Sequence, residues 1–319
     1  MTRREMVEFL KKNNIMIHDI NLNKTEPAHN NNDWVFYLSM EELESLVKSI
    51  EKEKAGKKLT KKEIYLKYSV HFDPSKNDKV FSIIGWIPQL LKDGNGKTGK
   101  LVLTYSLLPG TALFEIDIDG NIVVIKGTCC CDCDGCYAKA GRYNTETVIG
   151  SMGVNTYLTN EHIEFVYRCI MAQLEIMGRG EIRIHAAGDF NTKDPDAYAE
   201  MWHKIAEKNN TFRFWTYTKV KRFETLFDDL KNANIVKSVI PGVGFNFGHC
   251  DYIINAYYTL KEMGKKVYIC KCGIDKNQHC QNCGVCATYE YVLFIEHSTE
   301  YKAESDPLFP KVCEIANNQ

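Results

Sequence analysis

From Leu101 onward, short runs of β-favouring residues alternate with amphipathic helical runs, and this alternation narrows what the chain can fold into. Strand-like stretches are Ile122 to Ile125, Glu181 to Ala187, Phe212 to Thr218, Ile235 to Ile240, Lys266 to Cys270 and Tyr289 to Ile295. Helical spacing between them predicts four helices. The first carries Ile163, Val166, Ile170 and Leu174 and ends at Gly178; the second follows Asp194-Pro195 with Tyr198, Met201, Trp202 and Ile205. The third carries Phe223, Leu226, Phe227 and Leu230, and the fourth Ile253, Ile254, Tyr257 and Leu260. Strands joined by crossover helices pair in parallel. Six units fall short of a closed eight-fold barrel. The expected class is α/β: an open, partial (β/α)6 barrel-like core, with a mixed, mainly α N-terminal region and a Cys-rich C-terminal insertion. Leu101 to Leu108 and Leu113 to Ile118 read as further strands, the latter forming a hairpin with Ile122 to Ile125 across Asp119-Gly120.

Residues 1–100 read as an accessory region, 101–300 as the core and 301–319 as a tail. In the accessory region Ser39-x-x-Glu42 and Thr60-x-x-Glu63 are capping boxes that open helices, the first bearing Leu43, Leu46, Val47 and Ile50. The lysines around the second (Lys57, Lys58, Lys61, Lys62 and Lys67) read as a solvated helix face. Asp93-Gly94-Asn95-Gly96-Lys97 lacks the closing Lys-Ser/Thr of a phosphate loop and reads as a turn.

Cysteine usage carries the chemistry. Five of the 13 cysteines fall within Cys129 to Cys136, on the loop after the first of the six strands. A buried structural Cys needs no cysteine neighbours, so this crowding points to a metal. Cys129, Cys133 and Cys136 form a C-x3-C-x2-C set, able to bind three irons of a cubane cluster and leave the fourth open. Cys130-x2-Cys133-x2-Cys136 is an equally regular zinc spacing, so zinc stands as the alternative metal. A second set, Cys270, Cys272, Cys280, Cys283 and Cys286, lies between the last two strands. Its C-x2-C-x2-C run suits a closed four-iron cluster at Cys272, Cys280, Cys283 and Cys286, with Cys270 as another choice for the fourth ligand and a four-cysteine zinc site as the alternative. His279 can replace one cysteine. Cys169 reads as core, and Cys250 and Cys313 as non-ligands.

The C-x3-C-x2-C loop on a six-unit α/β repeat resembles the core of radical S-adenosylmethionine (SAM) enzymes, although Gly135 stands where that family has an aromatic before the third cysteine. More narrowly, five segments resemble the phage gene product 88 family. They are Tyr105 to Gly110, Cys133 to Ala138, Arg183 to Phe190, Tyr217-Thr218-Lys219 and Cys280-x2-Cys283-x2-Cys286. That family name supplies no activity and suggests a phage or mobile-element origin. The radical SAM resemblance implies an open cluster that chelates SAM, reductive cleavage to a 5′-deoxyadenosyl radical, and an auxiliary second cluster. It implies that Gly188 and Asp189 receive the methionyl ammonium, and that Tyr137 and His185 line the mouth. Ser238 and Asn246, from strand position, meet the ribose, with Arg183 and Lys219 as further carboxylate contacts. It also implies an electron donor such as a flavodoxin or ferredoxin.

A non-enzymatic zinc module of a phage or mobile element, binding nucleic acid or protein, is the competing class. A net charge of −1 gives no global basic field for nucleic acid, and no apolar run approaches the ~20 residues of a membrane span. Residues 1–14 lack a secretory leader pattern, so a cytoplasmic location is expected. The substrate is not legible.

Overall fold

The computed structural model describes residues 1–13, 40–68, 89–94, 101–110, 112–118, 121–129, 138, 143, 145–275, 278–296 and 301–319. In chain order it contains α1 (Arg3–Lys12), α2 (Met40–Lys54), α3 (Lys61–Lys67), β1 (Lys92–Asp93), β2 (Val102–Tyr105), β3 (Leu113–Ile118), β4 (Asn121–Lys126), α4 (Glu146–Glu161), α5 (Ile163–Met177) and β5 (Gly180–Ile184). There follow α6 (Pro195–Lys208), β6 (Phe212–Thr218), β7 (Ala233–Lys237), β8 (Val239–Ile240), β9 (Gly244–Phe245), β10 (Phe247–Gly248), α7 (Cys250–Glu262), β11 (Val267–Ile269), α8 (Cys280–Cys283), β12 (Tyr291–Ile295) and α9 (Phe309–Asn317). No helix among the described residues is long and apolar enough to cross a membrane.

The chain divides into two compact units. One comprises Met1–Leu90, Ile116–Val123 and Tyr157–Gly178. Here the Thr60–Glu63 box closes as expected: the Thr60 amide donates to Glu63 Oε2 at 2.8 Å and the Glu63 amide to Thr60 Oγ1 at 3.3 Å. The same reciprocal pair, Thr2 with Glu5, opens α1. Ser39 lies outside the described residues, but α2 buries the expected stripe of Leu43, Leu46, Val47 and Ile50. Lys57, Lys58, Lys61 and Lys62 are exposed, as a solvated face requires. Lys67 instead pairs with Glu53 and Glu175, and Cys169 is fully buried core.

The other unit comprises Leu91–Glu115, Val124–Thr156 and Arg179–Gln319. Its main sheet has the order β1-β2-β5-β6-β7, parallel throughout except for the short antiparallel β1. A second parallel sheet has the order β10-β12-β11. The fold is thus mixed α/β with a mainly parallel five-stranded sheet and no closed barrel among the described residues. The order β2-β5-β6-β7 follows the chain without reversal, so the sheet has no topological switch point.

Two expectations are corrected. The strand that opens the parallel series is β2, not Ile122 to Ile125; the latter belongs to β4, which pairs only with β3 as a separate hairpin. The alternation of β4, with Ile125 buried and Ile122 and Val124 exposed, suits a half-covered hairpin rather than a central parallel strand. The stretch Phe223 to Leu230 is not an α-helix. It is a 3₁₀ turn at Lys221–Phe223 followed by turns closed from Leu226 to Phe223, Asp228 to Thr225 and Leu230 to Phe227, which still bury Phe223 and Phe227. The helix α4 is not legible, because Met152 to Leu158 is buried all round and presents no single apolar stripe, and α1 and α9 also lie where no helix is expected.

Side chains pair across the sheet by register, so its two faces can be read directly. Ile182, Ile184, Phe212, Phe214, Thr216 and Tyr105 face one side, where α6 supplies Tyr198 and Trp202; the Tyr105 and Trp202 rings lie 5.5 Å apart, edge to face. Glu181, Arg183, Arg213, Trp215, Tyr217 and Asn234 share the other face. α6 starts at the expected place: Asp194 accepts from the Ala197 amide at 3.0 Å and Pro195 takes the first helical position. Replacing this cap by D194A is expected to cost about 1 kcal/mol, read as a lower urea midpoint with unchanged slope.

Candidate functional site

Four chain segments meet at the C-terminal ends of β2, β5 and β6. The Leu107 amide donates to Ala187 O at 2.9 Å and the Ala186 amide to Tyr105 O at 3.0 Å, joining the residues beyond β2 to those beyond β5. Thr128, immediately before Cys129, is bolted into this junction. Its amide and hydroxyl both donate to Leu108 O, its hydroxyl accepts from the Asp189 amide at 3.1 Å, and its carbonyl accepts from the Asn191 amide at 3.1 Å. Gly188 lies against the same residue at φ +84°; a Cβ there would stand 2.7 Å from Thr128 Oγ1 and Leu107 Cβ. Only glycine satisfies both the left-handed backbone and the close approach.

The Asp189 carboxylate extends the junction to β6. Oδ1 accepts from the Phe190 amide at 2.8 Å and the Thr218 hydroxyl at 2.7 Å, and Oδ2 from the Lys219 amide at 2.9 Å. Burial pushes its pKa up, while these hydrogen bonds and the Lys219 charge pull the other way. Ser238 and Asn246 come next: the Ser238 amide donates to Thr218 O, the Asn246 amide to Ser238 O, and Asn246 Nδ2 to Val292 O at 3.0 Å. Both are buried. These segments therefore form one strand-end row led by Cys129. Cys130, Cys131, Cys133, Cys136 and Tyr137 lie outside the described residues.

His185 sits at φ +60°, a backbone conformation uncommon outside glycine. It is buried, with Nδ1 3.1 Å from Thr216 Oγ1 and Nε2 2.8 Å from the Tyr198 hydroxyl, and Phe190 packs edge-on against the ring. Its contacts are thus with the α6 side of the sheet. Burial, helped by Arg183, drives its pKa down to about 3.

The second cysteine set covers the opposite, polar face of the sheet. Cys270 directly follows β11, and its amide donates to Leu293 O at 2.8 Å, extending the ladder. Cys272 lies on a 3₁₀ turn, Cys280 and Cys283 on the single turn of α8, and Cys286 on a further 3₁₀ turn. Gly284 ends α8 in the left-handed conformation and abuts Arg213; a Cβ would stand 2.8 Å from the guanidinium. All five cysteines line one small recess, together with Trp215, Tyr268 and Val292.

Polar groups of β6 and β7 anchor this lining. Tyr217 donates its hydroxyl to Cys286 Sγ at 3.0 Å, and Asn234 Nδ2 donates to Cys286 O at 2.8 Å and Tyr289 O at 2.9 Å. Arg213 is ion-paired with buried Glu181, and Arg183 stacks over the Tyr217 ring at 5.1 Å. Cys272 and Cys280 sulfurs are 3.9 Å apart. Hydrogen-bonding contact with Cys270 and Cys280, and then burial, raise the Cys272 thiol; burial leads for Cys283 and Cys286. No three His, Cys, Asp or Glu side chains among the described residues converge on a single ion position. The donor set nonetheless fits a thiolate-bound metal. Five thiols crowd one apolar recess where each opposes the ionisation of the next, a cost that a cation removes. His279 adds a buried Nδ1 without a hydrogen-bond partner among the described residues.

Residues 90–240 match a family model described as Gene product 88. The resemblance read from the sequence is borne out across the Leu-Pro segment, the first cysteine loop and the ends of β5 and β6. The match stops short of Cys280-x2-Cys283-x2-Cys286. No curated protein and no solved structure matches the chain. Arg213, Glu181 and Asn234 are not singled out by the sequence; the available signal for the first two is the alternation of Glu181 and Arg183 on β5 and of Arg213 on β6.

Two outcomes test this geometry. G188A is expected to lose about 1–2 kcal/mol from the left-handed backbone alone, plus the displacement of Thr128, seen as a lower urea midpoint. For His185 the folded pKa lies below the ordinary 6.5, so its contribution to stability is present above pH 6.5 and lost as pH falls toward 3. Wild type should lose about 1 kcal/mol more than H185N between pH 7 and 5.5, measured by urea unfolding at each pH.

Proposed function

We propose that the chain is an iron–sulfur protein of the radical SAM type. Cys129, Cys133 and Cys136 hold an open four-iron cluster, and Cys280, Cys283 and Cys286, with a fourth cysteine at position 270 or 272, hold an auxiliary one. The observation that carries this reading is the junction at Thr128, which starts the C-x3-C-x2-C loop at the C-terminal ends of parallel strands. The sheet has no switch point, so the barrel rule applies, by which the loops beyond the C-terminal strand ends carry the binding groups. When bound, such a cluster with SAM supplies one-electron reduction and hydrogen abstraction.

The chain's own residues bind and shield. Gly188, whose side-chain space is taken by Leu107 and Thr128, lets the turn close on the cysteine loop and so sets the backbone that receives the methionyl end of SAM. Asp189 supplies carboxylate charge at that point while holding Thr218 and Lys219 in place. Ser238 and Asn246, next along the row, meet the nucleoside end. His185 keeps the Ala186-Ala187-Gly188 turn in position from the α6 side. The Cys270–Cys286 segment lies over part of the polar face, against Tyr217 and Asn234. An electron donor of flavodoxin or ferredoxin class completes the system, and the substrate class stays open.

A zinc reading has one observation in its favour. The 3.9 Å between Cys272 and Cys280 sulfurs is close to the edge, ~3.8 Å, of a tetrahedron of thiolates each ~2.3 Å from zinc. In that case the recess is a structural site and the chain a zinc module that binds nucleic acid or protein. Anaerobic purification, iron, zinc and sulfide quantification, and electron paramagnetic resonance of the dithionite-reduced protein decide between the two. Expected are ~8 irons per chain, two four-iron clusters, and one signal that shifts on adding SAM. Zinc at both sites without a signal would overturn the enzyme reading.

A further inference from the structure

The recess offers five thiols, whereas a closed cubane or a structural zinc ion takes four cysteines. Three belong together: Cys280 and Cys283 on α8 and Cys286 on the turn after it form one short, continuous segment. The fourth position must come from the turn after β11, which carries two cysteines separated only by Lys271. Both reach the recess, by different means. Cys270 is buried, its backbone held by the β11–β12 ladder, and it packs with Val236, Tyr268 and Val292. Cys272 is half-buried on the 3₁₀ turn, with its sulfur 3.9 Å from that of Cys280. Cys272 and Cys286 pack against the cluster that contains Cys270, so neither member of the pair is turned away from the site.

We propose that the recess is a five-thiol metal site in which Cys270 and Cys272 are interchangeable holders of one coordination position. Cys280, Cys283 and Cys286 fill the other three. The proposal rests on the reading that this recess binds metal, whether an iron–sulfur cluster or zinc. The thiol not engaged remains beside the metal as a reserve ligand, so loss of either one leaves the site intact.

The test compares total iron, zinc and visible absorption of anaerobically prepared wild type, C270A, C272A, C270A/C272A and C283A, with circular dichroism on each. C270S/C272S, which keeps side-chain volume, separates ligand loss from a packing defect. Expected is wild-type metal content in both single variants. Both double variants should lose the same share of metal as C283A while keeping the wild-type dichroism spectrum. Loss of the full share in one single variant would overturn the proposal by naming a sole fourth ligand. Retention in both double variants would overturn it by excluding both. If C283A and both double variants alike lose no metal, the recess holds none, and the reading beneath the proposal is what fails.

Discussion

The buried carboxylate of Asp189 is the constraint on which the rest of the larger unit depends. A carboxylate out of water is tolerable only if its lone pairs find donors, and here the donors come from its own turn and from the end of β6. The Asp189 amide at the same time donates to Thr128, the last residue before the cysteine loop. One side chain and one amide therefore fasten β5, β6 and the cysteine loop together, and Gly188 beside them removes the Cβ that would force them apart. Thr218 Oγ1, which also accepts from the Val220 amide, passes the constraint to the turn that leads to β7.

The two faces of the sheet follow different physical rules. Toward α6 the core is aromatic and tightly packed, with Tyr105, Tyr198, Trp202, Phe190 and Phe214 buried; its one titratable imidazole, His185, is kept neutral by burial. The opposite face carries Glu181, Arg183, Arg213 and Asn234, which an apolar cover could not leave unsatisfied. The cysteine-bearing segment meets part of this need, while Glu181 and Arg213 pair with each other. Its carbonyls accept from Asn234, its Cys286 sulfur accepts from Tyr217, and its Gly284 leaves room for Arg213. The insertion thus belongs to the sheet as its polar cover and is not an appended module.

Much of this was legible beforehand. β6 lies at Phe212–Thr218 as its alternation predicts, and α6 starts where Asp194-Pro195 says it should. The Thr60–Glu63 box and the buried stripe of α2 needed no tertiary information. What failed were segments whose local pattern is ambiguous. The helix α4, buried on all sides, has no stripe to read. Phe223 to Leu230 has helical spacing but spans a short connection between adjacent parallel strands and closes as turns. Ile122 to Ile125 reads equally well as a sheet strand or as half of a hairpin, and its pairing partner decides.

By itself the sequence determined the quantities that local chemistry controls: the alternation that makes a parallel sheet, the caps that start helices, and the spacing that places two cysteine sets on loops after strands. Only the tertiary structure decided which groups meet. Asp189 with Thr218, Tyr217 with Cys286, Asn234 with the turn after α8, and Cys270 beside Cys272 in one recess are all set by strand register or loop closure. Apart from the last pair, these are contacts between residues far apart in the chain, and no local propensity encodes which strand lies beside which.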